Sequence, residues 1–231
     1  MMESEDRVSV QEQVEVASGG AFEAAPAVVM IHEPTSSAAE AIGALRTQLV
    51  TQEIGNGLGA VSICGASSGS GTTFVAVNLA IALSQIGVRT LLIDADMREP
   101  GVQAMIMPPG SVEGLQHCLG DAAGLSDVIH DDILPNLSIL YAGGASPQSQ
   151  ELLSSTRFRE LMTFCTREYD FTVIDTPPAN QSADSRQIAA VAGAALVVAR
   201  KDHTLLDDVR TLVTELERNE SRVIGTVLNS F

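Results

Sequence analysis

Tryptophan is absent from the 231 residues, and only two tyrosines and six phenylalanines occur. With aromatics at 3%, the core has to be built from Val, Ile, Leu and Ala. That favours a buried parallel sheet covered by helices over an all-β sandwich. Basic residues are scarce too: 13 Lys and Arg stand against 29 Asp and Glu, a formal charge of −16. Such a field repels polyanions, so direct binding to nucleic acid or anionic lipid is not expected, and the acidity reads as solubility. Cys64, Cys118 and Cys165 form no C-x-x-C pair and lie in apolar contexts, which points to buried reduced thiols. The sequence has no run of 18 apolar residues and no charged-then-apolar leader. The expectation is a soluble, cytoplasmic protein, peripheral at the inner membrane through a partner.

What is present suits one domain. Residues 1–30 mix acids with Gly19-Gly20 and Ala/Pro and carry no sustained period, so they read as a mobile arm before a single domain spanning 31–231. From Ser37 to Gln52 the apolar positions Ala41, Ile42, Leu45 and Leu49 recur at helical spacing, with Ser37 and Glu40 as a capping box. Strands and helices then alternate. Ala60–Cys64, Thr90–Asp94, Leu137–Tyr141, Phe171–Asp175, Ala194–Ala199 and Val223–Leu228 read as strands. Helices are expected from Gly71, from Gln150 to Arg167, from Ser185 to Val191 and from Leu205 to Arg218, with a variable stretch running up to Gly120. This βα alternation predicts a doubly wound, mostly parallel α/β sheet, whose ligands bind at the C-terminal strand ends.

Three motifs fall there. After the apolar run Ala60, Val61 and Ile63 comes Ala66-Ser-Ser-Gly-Ser-Gly-Thr-Thr73, followed by a helix. It has the outline of the phosphate-binding loop G-x-x-x-x-G-K-[ST], whose amides and helix N-terminus point at one anion. Ala66 occupies the first glycine position, Gly71 is kept, Thr72 stands in place of lysine, and Thr73 supplies the hydroxyl. A second apolar strand ends in Asp94 and Asp96, on the same side of the extended chain. Taken alone, a strand-end Asp is more often a cap or loop residue than a ligand. A third strand delivers Asp175, the position from which such proteins hold Mg²⁺ directly or through water. The three together point to a nucleotide site.

These residues resemble the bacterial tyrosine kinases of capsule and exopolysaccharide synthesis (BY-kinases), relatives of the MinD/ParA ATPases. Glu40-Ala-Ile-Gly-Ala-Leu-Arg-Thr47 is similar to the family's E-x-x-R-x-x-R-T helix. Asp94-Ala-Asp-Met-Arg-Glu-Pro100 is similar to its D-A-D-L-R-R-P motif, and Asp175-Thr-Pro-Pro178 to its Walker B motif. Ala142-Gly-Gly, Glu151-Leu-Leu-Ser-Ser155, Asp184, Arg200, Thr204 and Val227-Leu-Asn229 match further positions. The resemblance implies a P-loop NTPase fold with ATP and Mg²⁺ as cofactors. Ser68, Gly69, Ser70, Gly71, Thr72 and Thr73 would wrap the phosphates, and Thr73 and Asp175 would hold Mg²⁺. Asp94 and Asp96 would assist the metal or the incoming hydroxyl, and Asn229 would lie near the adenine. It also implies a membrane chain-length (co-polymerase) partner.

The departures matter equally. Thr72 removes the loop lysine, and Ser67 stands where the MinD/ParA branch has its signature lysine. Gly43 replaces the first arginine of the oligomerisation helix, so self-association is expected to be weak. Glu99 reverses the charge of one arginine. The family's tyrosine-rich tail is not in this sequence, so an active kinase is expected to phosphorylate tyrosines on a partner. Arg46 and Arg98 are the candidates to supply the missing charge. The readings carried forward are an ATP-binding kinase component of exopolysaccharide export, a catalytically impaired regulatory module of the same system, and a positioning ATPase of the MinD/ParA type.

Overall fold

The apolar runs of the sequence become strands whose two faces are both buried, as parallel pairing under helices requires. The computed structural model describes residues 22–230. Most of the expected arm, residues 1–21, lies outside the described residues. In chain order the elements are β1 (Glu23–Ala24), α1 (Val29–His32), α2 (Ser37–Gln52), β2 (Ala60–Gly65), α3 (Thr72–Ser84), β3 (Thr90–Asp94), α4 (Val102–Met105), β4 (Ile106–Met107), α5 (Leu115–Leu119) and α6 (Leu125–Val128). They continue with β5 (Ile129–Leu134), β6 (Leu137–Leu140), α7 (Ser149–Ser154), α8 (Thr156–Glu168), β7 (Phe171–Asp175), α9 (Asp184–Ala192), β8 (Ala194–Arg200), α10 (Leu206–Arg218) and β9 (Arg222–Asn229).

Seven strands form one sheet in the order β5-β6-β3-β7-β2-β8-β9. Every pairing is parallel except β5–β6 at one edge. Alternate strand residues serve opposite faces. Leu92 and Ile63 pack with α3, while Leu91 and Ile93 pack with Phe158, Leu161 and Cys165 of α8 and Ile188 of α9. Cys64, Ala195 and Val197 face Leu212 and Leu216 of α10. Helix α3 is buried on all sides from Val75 to Ser84 because it lies between the sheet and the N-terminal helices. The doubly wound reading therefore holds, and most strand ends fall within a residue of those expected.

Four details differ from the sequence reading. Residues 22–30 are folded: β1 pairs with β4, and Val28, Val29 and Met30 are buried in the core. Asn78 of α3 holds this segment, accepting from Met30 N at 3.1 Å and donating to Ala27 O at 3.2 Å. The cap of α2 is Ser36, whose hydroxyl accepts from Ala39 N; Ser37 is already inside the helix, so no Ser37–Glu40 box forms. The helix expected from Gln150 to Arg167 is two helices, broken where Ser155 takes extended backbone (ψ 159°). The variable stretch holds the short helices α4 and α5, and beyond it lie α6 and the edge strand β5.

Gly43 lies inside α2, and a Cβ there would meet only the Arg46 guanidinium, at 4.0 Å. Gly43→Ala removes a helix-interior glycine at no steric cost and is expected to stabilise the protein by about 0.5–1 kcal/mol. A melting curve should show Tm higher by roughly 1–4 °C.

Candidate functional site

After β2 the chain turns through residues 66–71 into α3. Gly69 (φ +73°) and Gly71 (φ +91°) are left-handed, with Ser70 between them at negative φ. That alternation turns successive N–H groups toward one side and forms an anion-binding concavity ahead of a helix N-terminus. Gly65 is demanded by packing instead. A Cβ there would overlap the Ser70 hydroxyl and approach Thr72 Cγ2 to 2.9 Å. The glycine without which the loop cannot fold over the strand thus precedes Ala66, the position the motif singled out. Thr72 turns its methyl group toward the end of β2.

Sheet register assembles the carboxylates. Asp94 and Asp175 are paired residues on the adjacent strands β3 and β7, and Asp175 is paired with Ile63 of β2, just before the loop. Asp94 accepts from Asp96 N (3.1 Å) and Val102 N (3.0 Å), which fastens the start of α4. Asp96 Oδ1 accepts from Arg98 N (3.0 Å) and Glu99 N (2.9 Å), closing the turn after β3. Both therefore do the loop-closing work common for strand-end aspartates. Asp175 does not: both of its oxygens are buried without a hydrogen-bond partner. The Thr73 hydroxyl lies near enough to favour its ionised form without forming a full hydrogen bond.

All three carboxyls are pushed up. Burial raises Asp94 to about 7, and Asp96 adds repulsion. Burial raises Asp96, with Glu99 and Asp184 contributing. Asp175 is raised well above its ordinary value by burial and then by Asp94. Mutually repelling buried carboxylates with two orphaned oxygens are what a hard divalent cation would complete. Thr73 and Asp175 fit Mg²⁺ in this respect. Among the described residues no cluster of three or more His, Cys, Asp or Glu is arranged as a metal cage.

The two candidate cations fare differently. Arg46 donates to Ala82 O at 3.3 Å, ten residues along α3 from Thr72 and therefore about 15 Å away. It cannot replace the loop lysine, because α2 packs along the far end of α3. Arg98 is close to the site but paired with Asp184 (2.8 Å), which also accepts from Ser149 (3.2 Å). Composition and motif reading missed the groups that do touch the loop as cations or donors. Arg200 donates to Gly69 O at 3.3 Å, His203 Nε2 lies 3.0 Å from Ser68 O, and Asn229 donates to Ser70 O at 3.1 Å. Arg200 and Asn229 stand out in the sequence only by resemblance, and His203 carries no local signal.

A family model for an AAA domain matches residues 59–225. The chain is 34% identical over 203 residues to tyrosine-protein kinase wzc of Salmonella typhi, a match covering 88% of this chain and 28% of wzc. It thus spans little more than a quarter of that relative's length. The kinase domain of Escherichia coli tyrosine kinase ETK superposes with a TM-score of 0.81 at 30% identity, covering 88% of this chain and 79% of that one. The Pyrococcus furiosus cell division ATPase MinD shares the fold alone, with a TM-score of 0.65 at 22% identity over 74% of this chain and 71% of that one.

Two outcomes follow from the geometry. Asp94 has a folded pKa near 7 against an ordinary 3.8, so the folded state holds an extra proton between those values. Stability from this cluster is then present at low pH and lost as pH rises from about 4 to about 7. Tm of the metal-free protein should fall between about pH 5 and about pH 8. Asp175→Asn should raise Tm at about pH 8 by several degrees and flatten that slope, because it removes one of the repelling charges. Separately, Gly65→Val should lower Tm by at least about 2–4 °C, since its side chain would overlap the Ser70 hydroxyl and the loop can no longer close over β2.

Proposed function

Because the chain belongs to the family of bacterial tyrosine kinases (BY-kinases) that includes wzc and ETK, we propose that it is the ATP-binding kinase-like component of a capsule or exopolysaccharide synthesis and export system. The observation that carries this is the meeting of a left-handed glycine loop with a buried, unpartnered Asp175 across adjacent strand ends. On this reading the amides of Gly69 to Thr73 take the phosphates, while Thr73 and Asp175 hold Mg²⁺. That ion, when bound, would neutralise charge on the phosphate oxygens.

The remaining roles belong to the chain's own groups. Asp96 uses one oxygen to close its turn and keeps the other for an incoming hydroxyl. Its raised pKa makes it a better proton acceptor than an ordinary aspartate. Neither tyrosine of the described residues is presented as an acceptor. Tyr141 is fully buried, with its hydroxyl on Ile106 O, and Tyr169 is half-buried, with its hydroxyl on Asp131. The partner envisaged is a membrane co-polymerase protein, which would hold this chain at the inner membrane from the cytoplasmic side. Among the described residues no helix is long and apolar enough to cross a membrane. Self-association is weak, with Gly43 in place of an arginine.

A second reading, a catalytically impaired regulator that binds ATP, is favoured by one observation. No amine extends from position 72, Arg46 is remote and Arg98 is committed to Asp184. Loss of a charge aimed at the transferring phosphoryl group costs turnover more than binding.

Calorimetric titration with ATP, with and without Mg²⁺, tests the shared claim. Wild type should bind, and Asp175→Asn should weaken Mg-ATP about tenfold or more while metal-free ATP changes less. Equal losses would reduce Asp175 to a structural residue. Turnover then separates the two readings. If the site is impaired, isolated protein should hydrolyse ATP barely above background and Thr72→Lys should raise the rate at least about tenfold. Robust wild-type turnover that survives Arg98→Ala would sink the impaired reading.

A further inference from the structure

Three consecutive carbonyls of the phosphate loop each meet a side-chain donor from outside the loop. His203 Nε2 lies 3.0 Å from Ser68 O, Arg200 Nη1 donates to Gly69 O at 3.3 Å, and Asn229 Nδ2 donates to Ser70 O at 3.1 Å. Arg200 and Asn229 end β8 and β9, the two strands beyond β2 on that side of the sheet, and His203 lies in the turn after β8. Their own positions are fixed. Thr204 Oγ1 accepts from Arg200 N (2.9 Å), Thr204 N and His203 N donate back to Arg200 O (2.9 and 3.2 Å), and Lys201 N donates to Asn229 O (2.7 Å). The turn after β8 is thereby closed and tied to the end of β9.

A trans peptide is planar, so the N–H following each carbonyl points the opposite way. Holding the carbonyls of Ser68, Gly69 and Ser70 outward therefore turns the N–H groups of Gly69, Ser70 and Gly71 inward. Those are the amides of the alternating Gly69–Ser70–Gly71 segment that would receive an anion. None of the three donates to a backbone carbonyl.

We propose that His203, Arg200 and Asn229 are positioning residues that clamp the outward carbonyls of the loop and so preorganise its amides for a nucleotide diphosphate or triphosphate. The clamp makes the cradle less dependent on a lysine at position 72, because an amide already aimed at the anion needs no ordering when the ligand arrives. This rests on the nucleotide-binding reading above and adds which residues outside the motif set its affinity.

His203 lies on an exposed turn, so its substitutions leave folding intact and make the clean test. His203→Leu removes the donor, whereas His203→Gln restores an N–H donor at similar reach. In calorimetric titration with Mg-ADP, His203→Leu should bind about three- to tenfold more weakly than wild type, the scale of one hydrogen bond, and His203→Gln should recover most of the loss. Apo Tm should be unchanged in both. Amide order parameters for Gly69 and Ser70 in the ligand-free protein supply the second arm: lower in His203→Leu, near wild type in His203→Gln. If His203→Leu binds Mg-ADP and orders the loop as wild type does, the clamp is refuted. If His203→Gln fails as badly as His203→Leu in both arms, the donor role is refuted. Wild type that binds no Mg-ADP, with order parameters behaving as stated, would overturn the nucleotide reading and leave the clamp standing.

Discussion

Asp175 is held out of water, beside Asp94, with neither of its oxygens partnered. A fold tolerates such a group only where something else offsets the cost of its burial. The offset here is geometric: β7 lies between β3 and β2, so parallel register brings Asp175 level with Asp94 on one side and with the strand leading into the loop on the other. The aliphatic core on both faces of the sheet fixes that register, because slipping one strand by one residue would exchange its buried faces. The electrostatic incompleteness of the site is therefore a consequence of how the core packs, and it is what a metal–phosphate ligand would relieve.

The loop shows the same division between local and distant causes. Its left-handed glycines supply curvature, but Gly65 leaves room for it and the ends of β8 and β9 hold its carbonyls. The loss of lysine at position 72 removes a mobile point charge and leaves this backbone frame in place. On the nucleotide-binding reading proposed above, binding and turnover can part company, because binding would draw on the frame and phosphoryl transfer on the charge.

The N-terminal segment extends the domain beyond what composition suggested. Residues 22–30 are rich in Ala and follow no period, yet Asn78, a polar residue in an otherwise apolar helix, holds their backbone. Pairing of β1 with β4 then links this segment to α4, whose first amide is bonded by Asp94. The chain entering the domain is thus connected through two short elements to the carboxylate cluster.

Much of this was legible from residue order. The span of α2, the alternation of strands and helices and the positions of Asp94, Asp96, Asp175 and the loop rest on local patterns: apolar period, glycine spacing and acids at strand ends. Elements without a local signal were not legible. Ser155 breaks a helix with no Pro or Gly to mark it, β5 is an edge strand carrying His130, Asp131 and Asp132, and the cap of α2 falls on the first of two adjacent serines. The sequence by itself determined the fold class and the strand-end positions of the glycine loop, Asp94, Asp96 and Asp175, because period and motif spacing are properties of neighbouring residues. Only tertiary structure decided that Asp175, of the three carboxylates at the strand ends, is the one left unpartnered, that Arg46 lies too far from the loop, and that His203, Arg200 and Asn229 grip it. Those outcomes depend on which strands become neighbours, and sequence separation does not encode that distance.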